Sequence, residues 1–191
     1  MGKLVLISGV NDSGKSLYGE QLAGKYDAPK YYIATMIPQT EENYRRIEKH
    51  RQQRAGMGFH TLELPYMVSD APITADSVVL LEDVSNLLAN AVFEQGNDME
   101  YVFREICTLV DRCRCVIAVT ISGLCAEGFD KETTAYIDHL NELNQKLYDQ
   151  AAVVITMRNK VPHKEKEDVY ELDESAPCRP VHIQSDPGPT V

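Results

Sequence analysis

The chain has little positive charge for its length. Its 191 residues include 19 Lys and Arg against 29 Asp and Glu, which gives a formal net charge of -10. Proteins that bind nucleic acids or membrane surfaces generally need an excess of Lys and Arg to meet phosphate groups. The charge balance therefore predicts no nucleic-acid partner and no membrane partner, and any anionic ligand must be held by a local basic site.

Long apolar runs and internal repeats are also missing, and we expect no secretory leader. No stretch approaches the roughly 20 apolar residues that cross a bilayer, and the chain enters an apolar strand-like run almost at once. The five cysteines are an odd number, and Cys113 and Cys115 do not have zinc-finger spacing. We therefore expect reduced thiols in a cytoplasmic protein.

What the sequence does contain is an alternation of short apolar runs with helical patterns. The runs predict strands at 4–8, 31–34, 61–64, 78–81, 116–121 and 153–157. Apolar spacing or helix-forming composition predicts helices at 15–26, 41–54, 99–112 and 131–150. This alternation is typical of an α/β fold, in which a mainly parallel sheet has helices on both faces.

The character of the sequence changes near its C-terminal end. From Pro162 onward the chain contains five of the nine prolines together with a series of acidic residues. This composition favours an irregular or partly disordered segment. We therefore predict one domain over residues 1–160 and a Pro-rich acidic extension over residues 161–191.

A phosphate-binding motif follows the first apolar run and precedes a predicted helix. Eight residues form this Walker A pattern and are expected to contact a nucleotide: Gly9, Val10, Asn11, Asp12, Ser13, Gly14, Lys15 and Ser16. The glycines let several backbone N–H groups converge on one phosphate chain. Lys15 is expected to reach the outer phosphates and Ser16 to ligate Mg²⁺. The motif predicts a P-loop NTPase-like fold that binds ATP or GTP.

Two acidic residues at the end of a predicted strand are candidates for the same metal site. Glu82 and Asp83 follow the apolar run 78–81. In P-loop enzymes an acid at a neighbouring strand end supports the magnesium ion. The sequence does not choose between the two residues, and acids at strand ends are also common as simple solvated groups.

The predicted helix over 41–54 concentrates basic side chains around one histidine. Arg46, His50 and Arg54 are spaced four residues apart and so share one helical face. In an acidic chain this stripe is a candidate second anion site, and the neighbouring cations would keep the imidazole neutral and nucleophilic. Glutamates of the same helix offer the alternative of a solvated, ion-paired face, which spacing alone favours.

Taken in order, these motifs resemble those of a known enzyme family. The resemblance covers the chain from residue 4 to about residue 157. It is carried by the P-loop, Ala34-Thr35, the segment 46–54, Thr61-Leu62-Glu63-Leu64-Pro65 and Leu143-Asn144-Gln145. In identity, order and spacing these segments are similar to the adenosylcobinamide kinase and adenosylcobinamide-phosphate guanylyltransferase enzymes, which build the nucleotide loop of cobalamin.

The resemblance implies a catalytic role for His50. In the family, a histidine at this position attacks the α-phosphate of GTP, and the GMP then passes to adenosylcobinamide phosphate. The kinase reaction that makes this acceptor uses the P-loop, where Lys15 and Mg²⁺ would offset the charge of the transferring group. The resemblance further implies a corrinoid substrate and a homo-oligomer, with a trimer as the specific expectation. It also implies further nucleotide contacts from Thr35, Arg46, Arg51, Arg54 and Glu63.

The chain departs from the family pattern at several positions. Glu82 replaces an aspartate, Phe59 replaces a tryptophan, and Thr120-Ile121-Ser122-Gly123 replaces a Ser-Asn-Glu-Val-Gly segment. Two alternatives therefore stay open beside the family function. One is a P-loop kinase that acts on another small molecule, and the other is a nucleotide-binding regulatory protein without turnover.

Overall fold

The apolar runs build one sheet in the part of the chain that the structure describes, residues 2–167. The structure is a computed structural model, and its sheet has seven strands. In chain order they are β1 (Lys3–Gly9), β2 (Lys30–Ala34), β3 (Phe59–Glu63), β4 (Val78–Glu82), β5 (Cys115–Ile121), β6 (Val153–Arg158) and β7 (Val161–Glu167). Each of the six predicted strands is present, with bounds that differ by at most two residues.

Helices connect most of these strands. They are α1 (Lys15–Gly24), α2 (Glu41–Arg54), α3 (Val84–Ala89), α4 (Met99–Arg112) and α5 (Lys131–Gln150). A 3₁₀ turn at Val68–Asp70 precedes β4, and a π-helical segment at Asn90–Glu94 continues α3. The four predicted helices are confirmed, whereas α3 with its π-helical continuation was not predicted. None of the described helices is long and apolar enough to cross a membrane.

The sheet is parallel except at one edge. Its strand order is β3-β2-β4-β5-β1-β6-β7, and only the β6–β7 pair is antiparallel. The carboxyl ends of β1, β2 and β4 therefore point to the same edge of the sheet. This topology confirms the predicted mainly parallel α/β fold and brings the P-loop, Thr35 and Glu82 to one side of the molecule.

The sheet separates two apolar clusters, because side chains of a buried strand alternate between its faces. In β1, Leu4 and Leu6 pack with α3, α4 and α5, whereas Val5 and Ile7 pack on the opposite face with α1. A Cβ at position 19 would lie 2.9 Å from Leu80 Cδ1, so Gly19 permits the close approach of α1 to β4. Helices thus cover both faces, as predicted.

Side-chain caps define where several helices begin. Thr40 and Asn43 form a capping box at the start of α2, and the carboxylates of Asp83, Asp98 and Asp130 accept backbone N–H groups at the starts of α3, α4 and α5. Such caps satisfy N–H groups that have no partner inside the helix. The Asp83 cap fixes the start of α3 directly after the acidic end of β4.

The predicted irregular extension needs a correction. Residues 161–167 form β7, which pairs with β6 in a hairpin. The prediction of irregular structure is therefore wrong for this segment, because Val161 and the alternating charged residues after Pro162 complete an edge strand that tolerates exposed polar side chains. Residues 168–191, the rest of the predicted extension, lie outside the described part of the chain.

Candidate functional site

The P-loop joins the end of β1 to α1. Gly14 has φ +90°, a left-handed conformation that favours glycine, and it stands directly before the first turn of α1. The Ser13 N–H donates to the Val10 carbonyl oxygen at 3.3 Å, and Lys15 Nζ donates to the same oxygen at 2.7 Å. The loop therefore closes on itself and presents the amino end of α1, where backbone N–H groups attract anions.

Ser13 lies at the bottom of this loop. The residue is 4% exposed, and its Oγ has no hydrogen-bond partner among the described residues. A Cβ at position 9 would lie 2.6 Å from that Oγ and 2.8 Å from the Met157 carbonyl oxygen, so Gly9 permits the tight packing of the loop against β6. A buried hydroxyl without a partner is costly unless a ligand or water satisfies it.

Glu82 connects the P-loop to the end of β4. Ser16 Oγ donates a hydrogen bond to Glu82 Oε1, while Glu82 Oε2 is buried and makes no hydrogen bond within residues 2–167. Burial raises the pKa of Glu82 to about 8, and the nearby charge of Asp83 adds to the rise. A cation bound here would offset both effects.

The donor set at this point suits magnesium. Mg²⁺ prefers hard oxygen ligands, binds through one or two protein groups plus phosphates, and keeps several waters. The Ser16 hydroxyl and the Glu82 carboxylate, with its unsatisfied oxygen, are such groups. Within the described residues no group of three or more His, Cys, Asp and Glu side chains is placed to hold a metal ion.

Asp83, the second predicted metal residue, is engaged differently. Its Oδ1 accepts from the Asn86 N–H at 2.7 Å and from Ser85 Oγ at 2.5 Å, so the carboxylate caps α3. The same residue lines the pocket beside α2. Of the two acids, only Glu82 makes a hydrogen bond to the P-loop among the described residues.

Thr35 supports this acidic strand end from β2. Its hydroxyl donates to the Asp83 carbonyl oxygen and accepts from the Asp83 N–H, both at 2.8 Å. Thr35 is completely buried, and the Asn90 side chain donates to its carbonyl oxygen at 2.7 Å. The Thr35 hydroxyl therefore holds Asp83 in place, and the nucleotide contact that the family resemblance implied for Thr35 stays a prediction.

A pocket of about 200 Å³ lies between α2 and the carboxyl ends of β2, β3 and β4. Its polar lining includes His50, Arg51, Glu63, Glu82 and Asp83, all of which were predicted as site residues. The remaining walls are largely apolar and aromatic, a combination that is common in small-molecule sites. They include Tyr32, Met36, Pro38, Tyr44 and Ile47.

The residues of the predicted basic stripe of α2 differ in how they contribute to this pocket. His50 is half-buried in its wall, whereas Arg51 and Glu63 are exposed at its rim. Arg46 lies one helical turn before His50, and its side chain is outside the described part of the structure. The pocket therefore brings a histidine, at least one cation and the Glu82 carboxylate together.

Arg54, the last predicted cation of the stripe, is buried. Its Nη1 lies 3.5 Å from Glu20 Oε1, and its guanidinium lies over the Tyr32 ring at 3.4 Å from the ring centroid. Burial raises the pKa of Glu20, and the Arg54 charge opposes that rise. Arg54 lines the pocket but is held in this ion pair, so its predicted phosphate contact stays a prediction.

Sequence reasoning missed Glu20 and Tyr32. Glu20 lies four residues after Ser16 and on the same face of α1, and that spacing was the available signal. A charged residue on the face that a helix turns toward the sheet needs a partner, but the sequence does not say which one. Nothing in the sequence indicated a site role for Tyr32, because an aromatic residue in a buried strand is ordinarily interpreted as a core residue.

Comparison with known proteins identifies the family. The family model described as cobinamide kinase / cobinamide phosphate guanyltransferase matches residues 5–164, which is most of the chain. The chain belongs to this family. The bifunctional adenosylcobalamin biosynthesis protein CobU of Escherichia coli K12 is 35% identical over 100 residues, which cover 51% of this chain and 54% of the E. coli protein. The match thus spans about half the length of that curated relative.

A solved structure shows a similar fold. A Pyrococcus horikoshii OT3 protein, the subject of a structural study under the project name PH0250, superposes with a TM-score of 0.51 and 11% sequence identity. The superposition covers 92% of this chain and 90% of that chain. At this identity the likeness concerns the fold alone. The family match over residues 5–164 extends into the first four residues of β7, a strand that had been predicted to lie in the C-terminal extension.

Proposed function

We propose that the protein phosphorylates adenosylcobinamide and then transfers GMP from GTP to the resulting phosphate through a guanylylated His50. The proposal is based on the position of Glu82, which lies at both candidate sites. Its carboxylate accepts a hydrogen bond from Ser16 of the P-loop and also lines the pocket that contains His50. The two nucleotide reactions of the family would therefore take place at adjacent positions around one acid.

The P-loop supports the kinase half. A hydroxyl oxygen of the corrinoid would attack the γ-phosphorus of ATP or GTP, the bond to the β–γ bridging oxygen would break, and the nucleoside diphosphate would leave as the hydroxyl proton is released. Lys15 would exchange its contact with the Val10 carbonyl for the outer phosphates, which is a short movement of a flexible side chain. Mg²⁺ held through Ser16 and Glu82 would neutralise part of the developing charge.

The pocket beside α2 supports the guanylyltransferase half. An imidazole nitrogen of His50 would attack the α-phosphorus of GTP, and the bond to the α–β bridging oxygen would break to release pyrophosphate. Arg51 at the rim and Arg46 one turn away would meet the phosphates. A phosphate oxygen of adenosylcobinamide phosphate would then attack the bound phosphorus, breaking the P–N bond and restoring His50.

The test is a search for the covalent intermediate. The protein is incubated with GTP and Mg²⁺, and its intact mass is measured without acid, because a P–N bond is acid-labile. We expect the mass of one GMP to be added to wild type and to a His139→Ala variant, which changes an exposed histidine of α5. His50→Ala should carry no adduct while it still phosphorylates adenosylcobinamide.

The outcomes separate this function from the open alternatives. Phosphorylation of the corrinoid without any adduct would leave a kinase and remove the guanylyltransferase half. Turnover of a different acceptor would favour a P-loop kinase of another small molecule. Nucleotide binding with neither product would favour a regulatory protein. A cytoplasmic location and a homo-oligomer, with a trimer as the specific case, complete the proposal.

A further inference from the structure

The hairpin between β6 and β7 ends in a tight turn beside the P-loop. Arg158 pairs with Val161, so the turn consists of the two residues Asn159 and Lys160, with φ values of 51° and 64°. Positive φ at both central residues is the pattern of a type I′ hairpin turn. Because β6 pairs with β1 up to Met157 and Gly9, the tip of the hairpin stands directly beyond the strand end from which the P-loop starts.

Lys160 lies against the P-loop glycine. A Cβ built on Gly14 would lie 3.6 Å from Lys160 Cγ and 3.7 Å from Lys160 Cα, which is ordinary van der Waals contact. The aliphatic stem of Lys160 therefore runs along the residue that precedes Lys15. Its ammonium group belongs to an exposed side chain that starts at the mouth of the loop.

The other cations of the hairpin are engaged elsewhere. Arg158 pairs with Glu165 at 2.9 Å, and Lys164 pairs with Glu167 at 2.8 Å. Lys166 Nζ donates to the carbonyl oxygens of Tyr148 and Asp149 at the end of α5. Lys160, by contrast, makes no hydrogen bond or ion pair with residues 2–167 in the structure.

A second feature of the loop points to a ligand at the same place. Ser13 Oγ is buried within the loop, next to Gly9, and has no partner among the described residues, as would suit a hydroxyl that completes its hydrogen bonding with a bound phosphate or water. The P-loop thus contains a buried hydroxyl donor, that of Ser13, and has an exposed cation, Lys160, packed against it. Ser13 belongs to, and Lys160 packs against, the loop that leads into α1, whose amino end favours anions.

We propose that Lys160 is a second phosphate-binding cation of the P-loop site, complementing Lys15 from the opposite, hairpin side. This inference rests on the proposed function, since it requires a nucleoside triphosphate in the P-loop. It goes beyond the Walker A motif, because Lys160 is 145 positions away from Lys15 in the sequence and reaches the loop only through the β6–β7 hairpin. Lys160 acts on binding and charge compensation, not on bond making.

The test replaces the charge and keeps the stem. Lys160→Met is compared with Lys166→Met, which removes an equal charge from the same hairpin at a position facing α5. Dissociation constants are measured by calorimetry in the presence of Mg²⁺ for GTP, ATP and inorganic tripolyphosphate. We expect Lys160→Met to weaken all three about 10-fold, as is usual for the loss of a charge-assisted contact, and Lys166→Met to change them less than about 2-fold. Lys160→Arg should retain most of the affinity.

Two results would overturn the inference. Unchanged affinities in Lys160→Met would show that its ammonium group does not meet the ligand. A loss for the nucleotides without a loss for tripolyphosphate would show contact with the nucleoside and not with the phosphates. Lys15→Ala distinguishes these failures from failure of the proposed function, because it should weaken binding in either case. If Lys15→Ala also binds normally, the P-loop assignment itself is wrong.

Discussion

Arg54 and Glu20 form a buried ion pair that links the last turn of α2 to the helix that follows the P-loop. The side chains are 5% and 1% exposed, and the charged atoms are 3.5 Å apart. Tyr32 of β2 supports the pair by stacking against the guanidinium. The His50 helix and the P-loop helix are therefore joined through charges that water does not reach.

The first prediction concerns the stability that this pair controls. Removing one partner leaves an uncompensated buried charge, so Glu20→Leu and Arg54→Met should each lower the free energy of unfolding by about 3 kcal/mol. The double variant should recover most of that loss, since it buries no charge. Urea denaturation of all four proteins gives the coupling directly. Additive losses in the double variant would show that the two residues do not interact.

The second prediction concerns Lys15. Its amino group is the main cation for the outer phosphates, so Lys15→Ala should lower the rate of phosphoryl transfer at least 100-fold and weaken nucleotide binding. The measurement is the phosphorylation of adenosylcobinamide at saturating nucleotide. Lys25→Ala, which removes an exposed lysine just after α1, serves as the control and should leave the rate unchanged. Normal turnover in Lys15→Ala would contradict a P-loop reaction.

The third prediction separates the two acids at the end of β4. Glu82→Gln should raise the Mg²⁺ concentration needed for half-maximal activity sharply, because the only acid bonded to Ser16 in the described structure loses its charge. Asp83→Asn keeps a capping oxygen for α3, so it should change that concentration much less. Titration of activity with Mg²⁺ decides the matter. An equal shift in both variants would mean that both carboxylates support the metal.

The fourth prediction is a pH dependence at the start of α5. Hydrogen bonds from Thr133 to the carboxylate lower the pKa of Asp130 below the ordinary value of 3.8. A lowered pKa means that the charged form adds stability above pH 3.8 and that this contribution is lost as the pH falls through the folded-state pKa. Asp130→Asn retains a cap but does not titrate. The stability difference between wild type and this variant should therefore shrink steadily below pH 3.8 in urea titrations.

Local sequence patterns determined most of the elements. The helices at 41–54, 99–112 and 131–150 were predicted with the bounds that the structure has, because apolar spacing and helix-forming composition are properties of neighbouring residues. The P-loop was equally easy to recognise, since its glycines and Lys15 lie within one short segment of the sequence. The strand run 78–81 located the acidic end of β4 for the same reason.

Tertiary structure decided the relationships between residues that are distant in the chain. The contact of Glu82 with Ser16 depends on the strand order, which places β4 and β1 on either side of β5, and on Asp83 being turned to cap α3. The partner of Arg54 depends on how α1 and α2 cross, and the approach of Lys160 to Gly14 depends on an edge strand that the sequence had suggested was irregular. Composition and periodicity report local backbone preference and burial. They carry no information about which distant side chains packing brings within a few ångströms.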